Sequence, residues 1–327
     1  MHVLVLSQSD IAHLLPMREC IDVMADALSA LSRGDAILPL RQVLRLPGSK
    51  NAFAVMPAYL ARPTAIGAKV ITVFPDNHGT ALDSHQGVVL LFEPEHGSLA
   101  AIMDASSITA IRTAAVSGVA TRLLAREDAA GVAILGTGVQ ARTHLEAMCA
   151  VRAVRRARVW SRDPTAVREF ADRESRRHDI EVVPARNARD AVEGAQIVCT
   201  VTASREPVLA GEWLADGAHV NAVGASLPIA RELDTAAIAR GRLYVDRRES
   251  ALNEAGDFLI PRREGAIGDD HIVGEIGELL LGRIPGRRTA ADVTIFKSLG
   301  LAVEDVAAAS FIYDRAAAGA VGSRVEL

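Results

Sequence analysis

Aromatic residues make up 4% of the 327-residue chain, and no block of Lys and Arg is interleaved with them. The combination of charge and stacking that a nucleic-acid surface needs is therefore missing. Cysteine is scarce as well: Cys20, Cys149 and Cys199 are too few and too scattered for a disulfide framework or a zinc cluster, and read as reduced thiols. No apolar run approaches the roughly 18 residues of a membrane span. The opening MHVLVLSQSDIAHLL lacks a basic leader and a small-residue cleavage site, so the cytoplasm is the expected location. The histidines show no HExxH or comparable ligand spacing, which argues against a metal site. What is there is mildly acidic, 36 Lys+Arg against 40 Asp+Glu for a formal charge of −4, and half hydrophobic. That composition suits a globular protein of about two domains whose partner is a small molecule, with no nucleic acid and no membrane.

Two patterns divide the chain. Ser9 or Asp10 caps a short helix, and Ile21, Met24, Ala25, Leu28 and Leu31 recur at helical spacing until Gly34. Segments 41–46, 52–59, 66–74, 87–92 and 99–104 are β-compatible, with PGSKN, PDNHGT and EPEHG as turns, and predict an antiparallel sheet. A helix over 107–126 carries Arg112 near its start. From 131 onward short apolar strands at 131–135, 157–160, 180–183, 197–201, 219–223, 243–245 and 293–296 alternate with helices or loops. That alternation predicts an α/β domain with a doubly wound parallel sheet over 122–300. A last helix, 301–318, is apolar enough to pack against protein.

Gly136-Thr137-Gly138-Val139-Gln140-Ala141 follows the strand VAIL and opens a helix, the context of a dinucleotide fingerprint. Gly136 permits the tight turn, Gly138 lets backbone N–H groups approach a pyrophosphate, and Ala141 keeps the helix close to its strand. The next strand ends in Trp160-Ser161-Arg162. Ser161 can donate to phosphate oxygens and Arg162 can pair with a 2′-phosphate, which favours NADP(H). Were the neighbouring Asp163 to face the ribose instead, NAD(H) would be preferred. Thr200, Thr202, Val223, Gly224 and Ser226 fall at the ends of predicted parallel strands, where a nicotinamide pocket belongs. Thr113 either turns its hydroxyl toward the cofactor or satisfies a helix carbonyl.

Arg41, Lys69 and Arg112 pose a charge problem. Lys69 lies inside the apolar strand AIGAKVITVF and Arg112 in a helix of small side chains, where an unpaired cation is costly. Either a substrate carboxylate meets them, or they pair with an internal carboxylate or snorkel to water.

GAKVITVFPDN (67–77), SHQGVVLLFEPEHGSLAAIMD (84–104), ITAIRTAAVSGVAT (108–121), ILGTGVQARTHL (134–145), VNAVGASLPIARELD (220–234) and FKSLGLAVEDVAAA (296–309) together resemble the ornithine cyclodeaminase/mu-crystallin family over nearly the whole chain. The resemblance implies a Rossmann domain (122–300) inserted into a discontinuous α+β substrate and dimerisation domain (1–121 plus 301–327), and a homodimer. It implies that Arg41, Lys69 and Arg112 bind the α-carboxylate of an amino or imino acid. It also implies hydride transfer involving nicotinamide and the carbon bearing nitrogen. Cyclodeaminases of the family carry an aspartate where this chain has Ser226, and a glutamate before the Met-Pro pair where Ala54 and Val55 precede Met56-Pro57. SHQ (84–86), LLFEP (90–94), VWSR (159–162) and AVGAS (222–226) are more similar to the mu-crystallin branch, whose members reduce cyclic ketimines with NADPH. The expected substrate is then Δ1-pyrroline-2-carboxylate or Δ1-piperideine-2-carboxylate, bound with the help of Ser226, with Lys69 and His85 as candidate proton donors. An acyclic imine reductase or amino acid dehydrogenase, an ornithine cyclodeaminase and a non-enzymatic ligand-binding protein are the alternatives.

Overall fold

The computed structural model describes residues 2–77, 80 and 82–326. In chain order the first elements are β1 (His2–Leu6), α1 (Gln8–Leu14), α2 (Met17–Arg33), β2 (Ala36–Ile37), β3 (Gln42–Arg45), β4 (Ala52–Ala61), β5 (Thr64–Val73), β6 (His85–Phe92), β7 (Leu99–Asp104) and α3 (Ala105–Leu124). Then follow β8 (Gly131–Leu135), α4 (Val139–Val151), β9 (Arg156–Trp160), α5 (Pro164–His178), β10 (Glu181–Pro184), α6 (Ala188–Val192), β11 (Ile197–Thr200), β12 (His219–Ala222), α7 (Thr235–Arg240) and β13 (Arg242–Val245). The last are α8 (Arg248–Glu254), α9 (Gly256–Arg263), β14 (Ile272–Glu275), α10 (Ile276–Leu280), β15 (Thr294–Lys297), α11 (Ala302–Gly319) and β16 (Ser323–Glu326). They form two compact units, Met1–Arg112 with Gly300–Leu327, and Thr113–Leu299. The division falls inside α3, at 112/113, and the side-chain bonds along that helix explain it. Thr109 and Arg112 bond to Lys69 and to α11 residues, whereas Ser117 and Thr121 bond to His144 and Asn221.

In the first unit the strands run in the order β16-β1-β7-β6-β5-β4-β2, with β3 also on β4. The β4–β5–β6–β7 ladder is antiparallel, as the helix-free run of strands predicts, while β1 is parallel to β7. The terminal strands β1 and β16, which pair with each other, had no clear sequence signature: the short apolar run HVLVL suits strand or helix equally, and SRVE is four exposed, mostly polar residues. PDNHGT begins with a short 3-10 turn at Pro75–Asn77, and its His78 and Gly79 lie outside the described residues. Ala52, Ala54, Met56, Ala58 and Leu60 alternate as the buried face of β4, and α11 packs against β4, β5 and β6. Close approach requires Gly67: a Cβ there would sit 2.5 Å from Leu90 O and 3.2 Å from Val306 Cγ2.

The second unit is a parallel sheet in the order β10-β9-β8-β11-β12-β15-β13-β14. Only β14 lacked a sequence expectation. The chain leaves β8 toward β9 and later returns to the other side of β8 as β11, so the order reverses there, and the end of β8 is where an open α/β sheet binds ligand. Its core includes a polar seam. His219 bonds Thr294 Oγ1 through Nδ1 (3.0 Å) and Asn221 Oδ1 through Nε2 (3.3 Å), and Asn221 Nδ2 donates to Thr121 Oγ1 at 2.9 Å. His144 bonds Ser117 Oγ through Nε2 (3.0 Å) and the Gln140 carbonyl through Nδ1 (2.7 Å). Among the described residues, no helix is long and apolar enough to cross a membrane.

Burial lowers the His144 pKa from 6.5 to about 4, and burial with the nearby Arg287 charge lowers that of His219 to about 3. Both imidazoles are neutral when folded, whereas the unfolded chain takes up protons below pH 6.5. Their contribution to stability is complete above that pH and is lost on acidification, at about 1.4 kcal/mol per pH unit for each histidine. Urea midpoints will fall steeply from pH 6.5 toward pH 4, and His144→Asn will flatten that slope; an equal slope in the variant contradicts the assignment.

Candidate active site

Lys69 sits in the middle of β5, opposite Met56 of β4 and Val89 of β6, on the face that α11 covers. Arg112 comes from α3, and Arg41 from the segment before β3. Lys69 and Arg112 are 2% and 3% exposed, so their charges need partners, and both partners come from the first turn of α11. Asp305 accepts Lys69 Nζ on Oδ2 at 2.9 Å and Arg112 Nε on Oδ1 at 2.9 Å, and Glu304 accepts Arg112 Nη1 on Oε2 at 2.5 Å. The charge problem is thus solved internally, and the substrate carboxylate is not what pays for burying Lys69 and Arg112. Donors are nevertheless left over: no described residue bonds Arg112 Nη2, and Lys69 Nζ has two contacts, Asp305 and Thr109 Oγ1 at 3.5 Å, for three protons.

Arg41 joins the cluster through Gly300. Its Nη2 donates to the Gly300 carbonyl at 3.3 Å, while a Cβ on Gly300 would stand 2.5 Å from Arg112 Nη1. With φ at +76°, this position favours glycine for its backbone as well as for its neighbours. Burial, opposed by Asp305 but reinforced by the charges of Arg112 and Arg41, lowers the Lys69 pKa to about 8. Arg112 moves the other way, because Asp305 and Glu304 outweigh its burial. His85 stands on the same sheet face, four residue pairs along the ladder, about 13 Å of strand rise between the backbones. Its Nδ1 meets Ser84 Oγ at 3.1 Å, and water lost to the neighbouring sheet, then the Lys69 charge, lower its pKa.

The residues expected at the cofactor belong to the second unit. Gly136 has φ +129° and a Cβ there would lie 2.8 Å from Val201 O, so only glycine serves the turn. Gly138 caps α4 without a side-chain hydrogen bond and faces open space, which leaves the first-turn N–H groups for an anion. Val139 is exposed at the helix start, Ala141 is buried against the sheet, and the buried Gln140 Oε1 has no hydrogen-bond partner among the described residues. This cradle fits a dinucleotide pyrophosphate. Thr137 Oγ1 donates to Ser161 Oγ at 3.3 Å. Asp163 caps α5 by accepting from the Thr165 and Ala166 N–H groups, while Arg162 is exposed with no ion pair among the described residues. Thr113 is buried within α3.

The strand-end threonines are placed differently from the sequence expectation. Thr200 Oγ1 donates to Glu232 Oε2 at 2.9 Å, and Thr202 Oγ1 to Glu232 Oε1 at 2.7 Å, so neither hydroxyl is directed to a ligand. The Gly224 N–H donates to the same carboxylate at 2.6 Å, and Val223 N to Thr200 O at 3.0 Å. Asp257 holds the Glu232 and Leu233 N–H groups, and Lys297 pairs with Asp257 at 3.1 Å while donating to Ala222 O and Ala225 O. Burial, then the charge of Asp257, raises the Glu232 pKa. Ser226 lies exposed just beyond this network. Glu232, Asp257, Lys297, Glu304 and Asp305 went unnoticed in the sequence. For Lys297, Glu304 and Asp305 the signal was charge inside apolar runs, the same that singled out Lys69; Glu232 and Asp257 lie in polar surroundings and gave none.

The profile of the ornithine cyclodeaminase/mu-crystallin family matches residues 1–320. The chain belongs to that family. It is 41% identical to the mouse ketimine reductase mu-crystallin over 310 residues, 94% of this chain and 95% of that protein. The structure of Thermococcus litoralis Δ1-pyrroline-2-carboxylate reductase in complex with NADH and L-proline superposes with a TM-score of 0.97 at 39% identity, covering 99% of this chain and all of that one. An archaeal alanine dehydrogenase dimer with bound NAD superposes with a TM-score of 0.94 at 30% identity, covering both chains fully.

Within this family member, the open face of Gly138 gives a clean test of the phosphate cradle. Gly138→Ala adds a methyl where no protein atom lies within 4 Å, so the melting temperature will hold while affinity for the reduced nicotinamide cofactor, read by fluorescence titration, falls about tenfold or more. Unchanged affinity would exclude this loop as the pyrophosphate site.

Proposed function

We propose that the protein reduces a cyclic ketimine carboxylate, Δ1-pyrroline-2-carboxylate or Δ1-piperideine-2-carboxylate, to the cyclic L-amino acid. The observation that carries this reading is the buried Lys69–Arg112 pair: both are locked to Asp305, yet donors on each are left over for one carboxylate. The parallel-sheet unit is read as the cofactor domain and the other as the substrate and dimerisation domain. A reduced nicotinamide, when bound, supplies the hydride. The chain's own task is to orient the substrate and make its imine carbon electrophilic, which requires a proton on the imine nitrogen.

Lys69 is the donor this reading selects. Its ammonium, with a pKa of about 8, is protonated at neutral pH yet weak enough in its hold to release a proton. The chain has three lysines, Lys50, Lys69 and Lys297, and uses arginine for nearly all its other cations. Arginine could not take this role, because its guanidinium does not deprotonate in a protein. Arg112 grips the carboxylate through its free edge, with Arg41 beside it, and His85 faces the same ammonium from β6. Ser226 offers no carboxylate to a distal ammonium, which disfavours ornithine cyclisation.

NADP(H) is the cofactor this reading favours. Asp163 is occupied in capping α5 and the Ser161 hydroxyl is bonded to Thr137 and the Asp163 backbone, so the exposed Arg162 is the group left to meet a 2′-phosphate, with Ser161 next to it in the chain. Purified protein with Δ1-pyrroline-2-carboxylate will consume NADPH rapidly, followed as loss of reduced-cofactor absorbance, and NADH more slowly. Arg162→Gln will lower kcat/KM for NADPH about tenfold or more and leave NADH nearly unchanged. No oxidation of either cofactor would sink the ketimine reading and move the test to acyclic imines.

A homodimer is part of the same proposal. The sheet face of the first unit turned away from α11 is apolar, with Phe53 37% and Ile66 41% exposed and Val55, Val70, Val88 and Leu90 half-buried beside them. Such a face needs a cover, and the archaeal alanine dehydrogenase relative is a dimer. Light scattering will give a dimer for the native chain and a monomer for Ile66→Glu; a native monomer removes this part of the proposal.

A further inference from the structure

Three elements meet at one carboxylate. Asp305, at the start of α11, takes Lys69 of β5 on one oxygen and Arg112 of α3 on the other, and its neighbour Glu304 takes a second nitrogen of the same guanidinium. All four side chains are buried, so no water can stand in for a lost partner. We propose that the two carboxylates are positioning residues with divided tasks: Asp305 keeps the Lys69 ammonium charged and in place as proton donor, and Glu304 fixes the plane of the Arg112 guanidinium that grips the substrate. The proposal rests on the roles given above to Lys69 and Arg112.

The geometry separates the tasks. A guanidinium held at Nε and Nη1 by two different carboxylates cannot turn about its bond to the chain, so its remaining edge points one way. Glu304 reaches that fork, whereas the ion pair to Lys69 is made by Asp305. The groups facing Lys69 are Asp305 from α11, Arg112 from α3, Arg41 from the segment before β3 and His85 from β6, while Glu304 of α11 and Cys20 of α2 stand near Arg112. Met56 faces it from β4 as a neutral neighbour. Burial, Arg112 and Arg41 all push Lys69 toward the neutral amine, and Asp305 is the carboxylate that opposes them. In each turnover the Nζ–H bond breaks, the proton joins the imine nitrogen, and solvent returns a proton to the amine.

The test compares the native chain, Asp305→Asn and Glu304→Gln across the pH range with the same imine and NADPH, so that ionisation of the substrate is common to all. The native alkaline limb is expected near pH 8. Asp305→Asn will move that limb down by about one unit or more and recover kcat on the acid side. Glu304→Gln will leave the limb in place and raise KM for the imine about tenfold. A limb unmoved in Asp305→Asn, or moved as far in Glu304→Gln, overturns the division.

Should Asp305→Asn fail to fold by circular dichroism, the native chain decides the matter through calorimetry with pyrrole-2-carboxylate, a carboxylate without a basic nitrogen. Binding near pH 8, in buffers of different ionisation enthalpy, will take up a fraction of a proton as Lys69 is recharged, and Glu304→Gln will keep that uptake. Absence of uptake overturns the proposal. This arm needs no turnover, so a native chain inactive on the imine would count against the ketimine reading alone.

Discussion

Two carboxylates buried at the start of α11 govern the arrangement of the first unit. Removing Asp305 and Glu304 from water is expensive, and the cost is recovered only if Lys69 and Arg112 come to them with good geometry. That demand brings β5, α3 and α11 together at one point, although Arg112 and Asp305 stand 193 positions apart in the chain. Replacing such a cluster with apolar side chains would serve stability as well or better. A charged cluster here is easier to understand as chemistry: it holds a titratable amine and an oriented guanidinium where a carboxylate ligand can join them.

The parallel-sheet unit repeats the device for a different purpose. Glu232, Asp257 and Lys297 are buried together, and nearly all their bonds go to backbone or hydroxyl groups at the ends of β11, β12 and β15. Strand ends in open α/β sheets are where ligands bind, and loops there carry polar backbone groups that must be held without closing the site. Glu232 does this for Thr200, Thr202 and Gly224 at once. Gly136 and Gly138 contribute by the absence of side chains, one to let the turn pass Val201 and the other to leave the α4 N-terminus bare.

Local pattern made much of this legible. Hydrophobic spacing and turns placed the antiparallel β4–β7 ladder and most of the parallel sheet, because a strand or helix with one buried face writes its period into the chain. The glycine loop after β8 was readable for the same reason: its chemistry lies in contiguous residues. Short strands such as β1, β14 and β16 were not, since short runs are defined by the strand they pair with rather than by their own residues. The site was half legible. A lysine in an apolar strand announced itself, but the same question was not asked of Glu304 and Asp305 in an apolar helix, and Glu232 and Asp257, in polar surroundings, did not raise it.

By itself, then, the sequence determined the family and the α/β class, and it singled out the glycine loop after β8 and the basic residues Lys69 and Arg112, because each is carried by local spacing or by motifs in order. Tertiary structure alone decided who partners whom. It assigned Lys69 and Arg112 to internal carboxylates, turned Asp163 into a helix cap and left Arg162 exposed, and spent the Thr200 and Thr202 hydroxyls on Glu232. The reason is that pairing energy depends on distance and desolvation, and neither exists until segments remote in the chain have packed together.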